Sequence, residues 1–376
     1  MGLAAGIIGL PNVGKSTLLN ALCQAKAETA NYPFCTIEKN IGTAKVPDPI
    51  LEELKALLDP KEAVPATVEI VDIAGLVPGA SQGAGLGNRF LSEIREVDAL
   101  VHVVRCFEDE NIAHTEGSAD PLRDVELIET ELALADLERL EKEAERTKWD
   151  FSPQGRKLHA VLEKLSSGLS AGEAVRDIPL SKEEAELASP LDYLTGKPVL
   201  FVANIDDSGH YKENAGYQAL CQRFGPENVL PVCARLEEEC AELEPDERIE
   251  FLSQLGFEED ALARLIEAIF KLLGLIRFYT FANNKLRAWE IPQGTTAEIA
   301  AGKIHSDMQT GFIRAEIIQL ADLKKYPSLP ELRRQGLVRS EGREYQLQDG
   351  ELVHFGSVIF LQPSFQGLDA LFVICF

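Results

Sequence analysis

The stretch Gly9-Leu10-Pro11-Asn12-Val13-Gly14-Lys15-Ser16-Thr17 decides the fold of this chain. The apolar run 4–8 before it has the length of a buried strand, and the apolar residues within 18–22 fall at helical spacing. A Gly-x-x-x-x-Gly-Lys-Ser sequence between a strand and a helix is typical of a loop whose backbone N–H groups bind nucleotide phosphates. We therefore predict that Lys15 contacts the β- and γ-phosphates and that Ser16 binds Mg²⁺. The nucleotide-binding residues predicted in this loop are Asn12, Val13, Gly14, Lys15, Ser16 and Thr17.

Two segments downstream bear on the metal and on the attacking water. Within residues 68–75, a β-branched strand ends in Asp72 and is followed by a small residue and a glycine, as in the Walker-B element of P-loop nucleotidases. We therefore expect Asp72 to orient Mg²⁺ through water. Thr36 lies in a loop between these motifs, where it is either a second Mg²⁺ ligand that senses the γ-phosphate or part of a solvated turn. Leu76 stands where Ras-like proteins place the glutamine that orients the attacking water. Since leucine cannot orient water, either another residue does so or hydrolysis is slow.

Two later strands lead into loops that a bound nucleotide would meet. The apolar run 99–106 is typical of a central parallel strand, and the polar loop after it contains His114, which is either catalytic or an ordinary surface histidine. The run 198–204 ends in Asn204 and continues as Asn-x-x-Asp, where GTP-binding relatives carry Asn-Lys-x-Asp. Here Ile205 replaces the lysine whose stem packs on guanine. The base-binding residues predicted here and after the strand 230–232 are Asn204, Ile205, Asp207 and Ala234.

The charge of the chain is strongly acidic and unevenly distributed. The formal net charge of −24 argues against a chain-wide electrostatic footprint for nucleic acid, and we expect no sequence-specific DNA binding. Residues 278–363 carry ten Lys/Arg and ten Asp/Glu, so this neutral part is where we expect a polyanion to bind. The seven cysteines are scattered, no signal peptide is apparent, and no apolar run approaches the ~20 residues of a membrane span. We therefore expect a soluble, cytoplasmic protein that does not bind a membrane.

Changes in periodicity divide the chain into parts. An α/β domain with a mostly parallel sheet flanked by helices is predicted at 1–118 and 196–277. Two amphipathic helical patterns around a break at Pro153 predict an inserted helical hairpin at 119–195, which is either a partner-binding arm or a solvated structural element. Short strands and turns predict a small α+β domain at 278–363, and 364–376 is an atypical tail.

Taken together, these motifs resemble the YchF (Obg-like ATPase) family of TRAFAC-class P-loop NTPases. The resemblance extends from residue 1 to about residue 360, and 362–376 runs past the family's usual end. It implies an OBG-type G domain, an inserted helical hairpin and a C-terminal TGS domain. It further implies association with the ribosome or its large subunit, and a preference for ATP over GTP. From the charge balance of 278–363, we expect the TGS domain to make most of the ribosome contact. The segments that carry the resemblance are 9–17, 31–37, 72–77, 85–90, 103–107, 131–136, 288–289, 301–305 and 311–315.

The resemblance also implies roles for single residues. Asn12 matches the phosphate-loop asparagine that helps to hold a potassium ion in potassium-stimulated relatives. Leu76 matches the family's hydrophobic replacement of the catalytic glutamine, and His114 matches a loop histidine used in hydrolysis. The base motif of the family ends in Glu, whereas Asp207 stands here, and this departure bears on nucleotide preference.

The resulting hypothesis is a ribosome-associated NTPase that hydrolyses ATP to ADP and phosphate as a nucleotide-state switch linked to translation or stress response. We expect Mg²⁺ dependence, stimulation by potassium, and catalytic roles for Lys15 and His114. Two alternatives stay open. One is a GTP-specific switch, which rests on Asp207 alone. The other is a nucleotide-gated binding scaffold in which hydrolysis is incidental.

Overall fold

The computed structural model of the protein separates into two compact units. The first comprises Met1–Ala44 and Val68–Leu273, and the second comprises Lys45–Thr67 and Gly274–Phe376. The sequence predicts 45–67 within the α/β domain, but this segment belongs to the second unit, and the hairpin is part of the first unit. The structure describes residues 2–24, 41–74, 85–109, 112, 119–241, 243, 245–256, 260–326, 328–359 and 372–375.

Strands and helices are interspersed along the described chain. The strands are β1 (Ala4–Ile8), β2 (Ile41–Lys45), β3 (Glu62–Val64), β4 (Thr67–Asp72), β5 (Ala99–Arg105), β6 (Val199–Asn204), β7 (Val229–Val232), β8 (Leu275–Ala282), β9 (Lys285–Pro292), β10 (Phe312–Ile318), β11 (Arg339–Glu341), β12 (Glu351–Ile359) and β13 (Phe372–Cys375). The helices are α1 (Lys15–Gln24), α2 (Pro49–Leu58), α3 (Gly85–Arg95), α4 (Pro121–Thr147), α5 (Pro153–Ser170), α6 (Lys182–Ala188), α7 (Ala215–Phe224), α8 (Ala234–Glu239), α9 (Pro245–Gln254), α10 (Ala261–Leu272), α11 (Ala297–Ile304), α12 (Ser306–Thr310), α13 (Leu320–Lys325) and α14 (Leu329–Arg334). Among the described residues, no helix combines the length and the apolar character that crossing a membrane requires.

The first unit is built on a six-stranded sheet in the order β2-β4-β1-β5-β6-β7. From β4 to β7 every neighbouring pair is parallel, and β5 is buried at all seven positions, as the apolar run 99–106 predicts. The register aligns Ile7 with Asp72 and Ile8 with His102. The carboxyl ends of β1, β4 and β5 therefore meet at one edge, where ligands bind in open α/β sheets. The predicted α/β class is confirmed.

Helices α4 and α5 form the predicted hairpin. Asp120 and Ser152 cap their first turns by accepting backbone N–H bonds, and a proline follows each cap. Apolar residues of both helices pack together, among them Leu140, Leu162 and Leu165. The buried carboxylate of Asp136 accepts hydrogen bonds from Leu194 N at 2.9 Å, Thr195 N at 2.8 Å and Thr195 Oγ1 at 2.7 Å, which joins α4 to the returning chain.

The second unit has its own mixed sheet, in the order β11-β10-β12-β8-β9-β3, with β13 beside β12. Phe278, Trp289 and Phe355 lie at the centre of its core. The strand β13 pairs antiparallel with β12, so part of the tail that the sequence marks as atypical adds to this sheet. This arrangement agrees with the predicted α+β class for the C-terminal region.

Candidate nucleotide site

The loop between β1 and α1 requires glycine at two positions. Gly9 has φ 154°, and a Cβ there would lie 2.5 Å from the Val103 carbonyl oxygen. Gly14 has φ 97°, and a Cβ there would overlap the side-chain amide of Asn204. Asn12 also has a positive φ of 62°, a conformation that asparagine tolerates better than most residues. The loop is therefore closely packed on neighbouring strands, and its backbone is set in the conformation that places α1's N-terminus at the sheet edge.

Lys15 is buried at the start of α1. Its Nζ donates to the carbonyl oxygens of Leu10 at 2.9 Å and Gly9 at 3.1 Å. Burial lowers the pKa of Lys15, while the charge of Asp72 opposes that shift. An approaching polyphosphate would favour the protonated ammonium in the same way, because an opposite charge stabilises the charged form.

The sequence predicts that Ser16 and Asp72 bind magnesium, and the structure brings their side chains together. Ser16 Oγ donates to Asp72 Oδ2 at 2.6 Å. The other carboxylate oxygen, Asp72 Oδ1, is buried and has no hydrogen-bond partner among the described residues. A buried carboxylate oxygen without a donor, next to a serine hydroxyl, fits a Mg²⁺ ion, which prefers oxygen ligands and retains several waters. The described residues contain no group of three or more His, Cys, Asp or Glu that would form a metal site of another kind.

Asn204 makes hydrogen bonds to two separate segments of the site. Its side chain is buried, with Nδ2 donating to Val13 O at 2.8 Å and Oδ1 accepting from Ala234 N at 3.0 Å. One amide therefore connects the phosphate loop with the segment after β7. The sequence predicts that Asn204 supports both the loop and the base, and these two bonds agree with support of the loop.

A cavity of about 530 Å³ lies along this edge of the sheet. Most of the predicted nucleotide-binding residues line it. The other three, Val13, Lys15 and Ser16, are their neighbours in the loop and at the start of α1. Five carboxylates face the cavity, against a single arginine, so its wall is acidic. Its lining is Asn12, Gly14, Thr17, Phe107, Glu108, Asp109, Ile112, Asn204, Ile205, Asp206, Asp207, Cys233, Ala234, Arg235 and Glu238.

Arg105, at the end of β5, holds the segment after this strand in place, a role that the sequence analysis does not assign to it. Its buried guanidinium donates to three carbonyl oxygens of the following segment: Phe107 at 3.1 Å, Ile112 at 3.0 Å and Asp109 at 3.2 Å. The guanidinium carbon also lies 4.6 Å from the centre of the Phe107 ring. The only sequence signal for this segment is its position after the carboxyl end of a central strand.

Two cysteines near the site are protonated at neutral pH. Burial raises the pKa of Cys106 to about 12 and that of Cys233 to about 11. A thiolate is the reactive form of cysteine, so neither thiol is set up as a nucleophile or a metal ligand.

Several predicted residues fall outside the described part of the chain. These are Thr36, Leu76 and His114. Their roles stay predictions, and so do the ligand contacts of the residues placed above.

Comparison with known proteins decides the family. A family model described as "50S ribosome-binding GTPase" matches residues 4–138, and the YchF-GTPase_C model, described as a protein of unknown function, matches 275–357. The proteins named "Ribosome-binding ATPase YchF" from Bacillus subtilis and Escherichia coli O157:H7 are each 45% identical to the chain. Each alignment covers 94% of this chain and 99% of the relative. The chain belongs to the YchF family.

A solved structure supports the same assignment. The "Schizosaccharomyces pombe YchF GTPase" superposes with a TM-score of 0.84 at 33% identity, covering 94% of this chain and 97% of that one. The resemblance drawn from the motifs is thus confirmed, and it extends through both units. The names differ in the nucleotide, since the bacterial YchF proteins are called ATPases and the fission yeast YchF protein a GTPase.

Proposed function

We propose that this chain is a ribosome-associated P-loop NTPase that hydrolyses ATP to ADP and phosphate and signals its nucleotide state to the ribosome, in translation or the stress response. The observation that carries the proposal is the arrangement of Lys15, Ser16 and Asp72 at the phosphate loop. The same loop and helix start line a cavity together with Asn204 and the residues that follow it. The names of the bacterial relatives support both the hydrolysis and the ribosome binding.

Each residue of the phosphate end has a defined role in this proposal. The N–H groups of the loop and the Lys15 ammonium bind the β- and γ-phosphate oxygens. Ser16, Asp72 and, as predicted from the sequence, Thr36 would hold Mg²⁺, which would neutralise charge on the phosphate oxygens. Asn12 would contribute to a potassium site. His114 would orient the attacking water in place of the glutamine that Leu76 replaces.

The test of this function is steady-state turnover by the purified chain. We expect ATP hydrolysis that needs Mg²⁺, that is faster with potassium than with sodium, and that increases when ribosomal subunits are added. Absence of any hydrolysis under all these conditions would contradict the enzyme assignment. Hydrolysis that ribosomes do not stimulate would instead favour the scaffold hypothesis, in which turnover is incidental.

We propose that the second unit is a TGS domain and that it makes the main contact with the ribosome. Several basic residues are close in sequence, but Lys324 pairs with Glu53 and Arg333 with Glu316. Removing 278–376 is a poor test, because β3 pairs with β9 and would lose its neighbour. Reversing the exposed charge of Lys325 is cleaner, and we expect the Lys325→Glu variant to co-sediment less with the large subunit.

A further inference from the structure

The turn between α4 and α5 exposes the two most accessible large apolar side chains of the described residues. Trp149 is 72% exposed and Phe151 is 71% exposed. Both lie beyond the last layer of the hairpin core, whose outermost members are Ala144 and Leu158. With 27 residues, α4 places this turn roughly 40 Å from the start of the helix, at a rise of about 1.5 Å per residue. We call residues 148–156 the arm tip.

Polar contacts, not the aromatic rings, hold the arm tip in shape. Asp150 N donates to Thr147 O at 2.9 Å, and Asp150 Oδ1 accepts from Ser152 N at 3.0 Å. Ser152 Oγ then accepts from Gly155 N at 2.9 Å, which begins α5. Gly155 is buried, and a Cβ there would overlap the Asp150 carboxylate. Since the turn is built without them, the two aromatic rings are available for a partner.

The arm tip and its flanks are basic, whereas the rest of the arm is acidic. Residues 146–157 contain four Lys/Arg and one Asp, but the remainder of 119–195 contains six Lys/Arg and seventeen Asp/Glu. Arg146 pairs with Glu143, and Lys157 pairs with Glu183. Within the described residues, Lys148 and Arg156 have no carboxylate partner, and the Lys148 ammonium lies 5.9 Å from the centre of the Trp149 ring. A polyanion is therefore attracted to the end of the arm and repelled by its sides.

We propose that the arm tip binds single-stranded RNA. Trp149 and Phe151 would stack on unpaired bases, and Lys148 and Arg156 would contact phosphates, which is how sequence-tolerant single-strand binding works. The inference rests on the proposed ribosome association, and it names unpaired ribosomal RNA as the partner of this surface. A lipid surface fits less well, because Asp150 and Ser152 interrupt the apolar face that membrane binding needs.

Tryptophan fluorescence gives a direct readout of stacking. The chain contains two tryptophans, and Trp289 is buried in the second unit with its Nε1 donating to Thr280 Oγ1 at 2.9 Å. Quenching that is lost when Trp149 is replaced therefore reports the arm tip. The probe is an oligoadenylate of roughly 12 nucleotides, added to the full-length chain with saturating ATP and Mg²⁺ so that the nucleotide cavity is filled. We expect saturable, salt-sensitive quenching that the Trp149→Phe variant lacks.

Matched variants separate stacking, charge and general surface effects. Measured with labelled RNA, Trp149→Ala and Phe151→Ala should each weaken binding about tenfold, as loss of one stacked base does. Replacing Lys148 and Arg156 together by Glu should weaken binding and flatten its salt dependence. Leu134→Ala, on the stem of the arm, and Lys271→Glu, on α10, serve as exposed controls and should leave affinity within about twofold. Thermal melting checks that every variant is folded.

Co-sedimentation with ribosomal subunits distinguishes this inference from the proposed function. If the wild-type chain neither hydrolyses nucleotide nor co-sediments, the proposed function fails. If it co-sediments and the Trp149→Ala, Phe151→Ala double variant does so equally well, only the arm-tip proposal is overturned. Loss of ribosome binding without any RNA quenching would assign the tip to a protein partner, and quenching by anionic vesicles but not by RNA would assign it to a membrane. Either result overturns the proposal.

Discussion

The candidate nucleotide site has two parts, a phosphate end at residues 9–16 and a base end at the cavity wall, and they are built in different ways. At the phosphate end, residues 9–16 form one continuous loop and helix start, and among the described residues Asp72 joins them from β4. At the base end, the wall is assembled from the segments that follow β5, β6 and β7, with Asn204 and Arg105 holding them in place. The first end depends on backbone conformation and a few charges, and the second depends on side-chain hydrogen bonds between distant segments. We therefore expect losses of catalysis at the first end and losses of affinity or selectivity at the second.

The largest effect is expected at Lys15. Lys15→Ala removes the ammonium that we propose to contact the β- and γ-phosphates, and loss of one such group lowers kcat by about 100- to 1000-fold. Ser16→Ala should act similarly through Mg²⁺. The measurement is ATP affinity and turnover, with melting as the check on folding and Lys142→Ala, an exposed arm lysine, as the control. Unchanged affinity and turnover in both variants would remove the phosphate-loop assignment.

His114 should give the next largest effect. If it orients water in place of the residue that Leu76 replaces, His114→Ala lowers kcat by roughly 100-fold, at the lower end of general acid–base effects. Binding of ATP should change little, because water orientation matters in the transition state and not in the ground state. Comparing kcat with the dissociation constant for ATP tests the point. An equal loss of binding and rate would mean that His114 supports the cavity and not the chemistry.

The difference between the two ends also explains what sequence reasoning could and could not find. The phosphate loop was predictable because its chemistry lies within nine consecutive residues, and the α/β class and the hairpin followed from apolar periodicity. The role of Arg105 in holding the cavity wall was not predictable, since an arginine at the end of an apolar strand has no distinctive spacing. The sequence also did not reveal that 45–67 belongs to the second unit, because β3 pairs with a strand more than 200 residues away in the chain.

Arg105 offers a way to weaken the base end alone. Arg105→Lys keeps the charge but loses the planar fork that serves three carbonyl oxygens. We expect the KM for ATP to rise about tenfold, since each lost buried hydrogen bond costs about 1 kcal/mol and the loop can partly relax. The fall in kcat should be smaller than that of His114→Ala. Arg146→Lys, on the exposed arm, is the matched control. A change in kcat alone would place the role of Arg105 in catalysis.

The smallest and most selective effect concerns the base itself. A carboxylate at the fourth position of the base motif accepts hydrogen bonds from guanine N1–H and its 2-amino group, whereas adenine N1 is an acceptor that such a carboxylate repels. Asp207 lines the cavity and is exposed. Ile205 is buried and supplies no lysine stem to pack on guanine.

We therefore expect ATP to bind more tightly than GTP, with GTP less strongly excluded than in relatives that carry Glu at this position. Asp207→Glu adds one methylene, restores the family's residue and should widen the ratio of GTP to ATP dissociation constants by about threefold, a difference below 1 kcal/mol. Asp206→Glu is the control, because Asp206 is also exposed and also lines the cavity. Titration of both nucleotides with Mg²⁺ and potassium present measures the ratio. A clear preference of the wild-type chain for GTP would show that Asp207 reads guanine, and that this one side chain outweighs the rest of the base end.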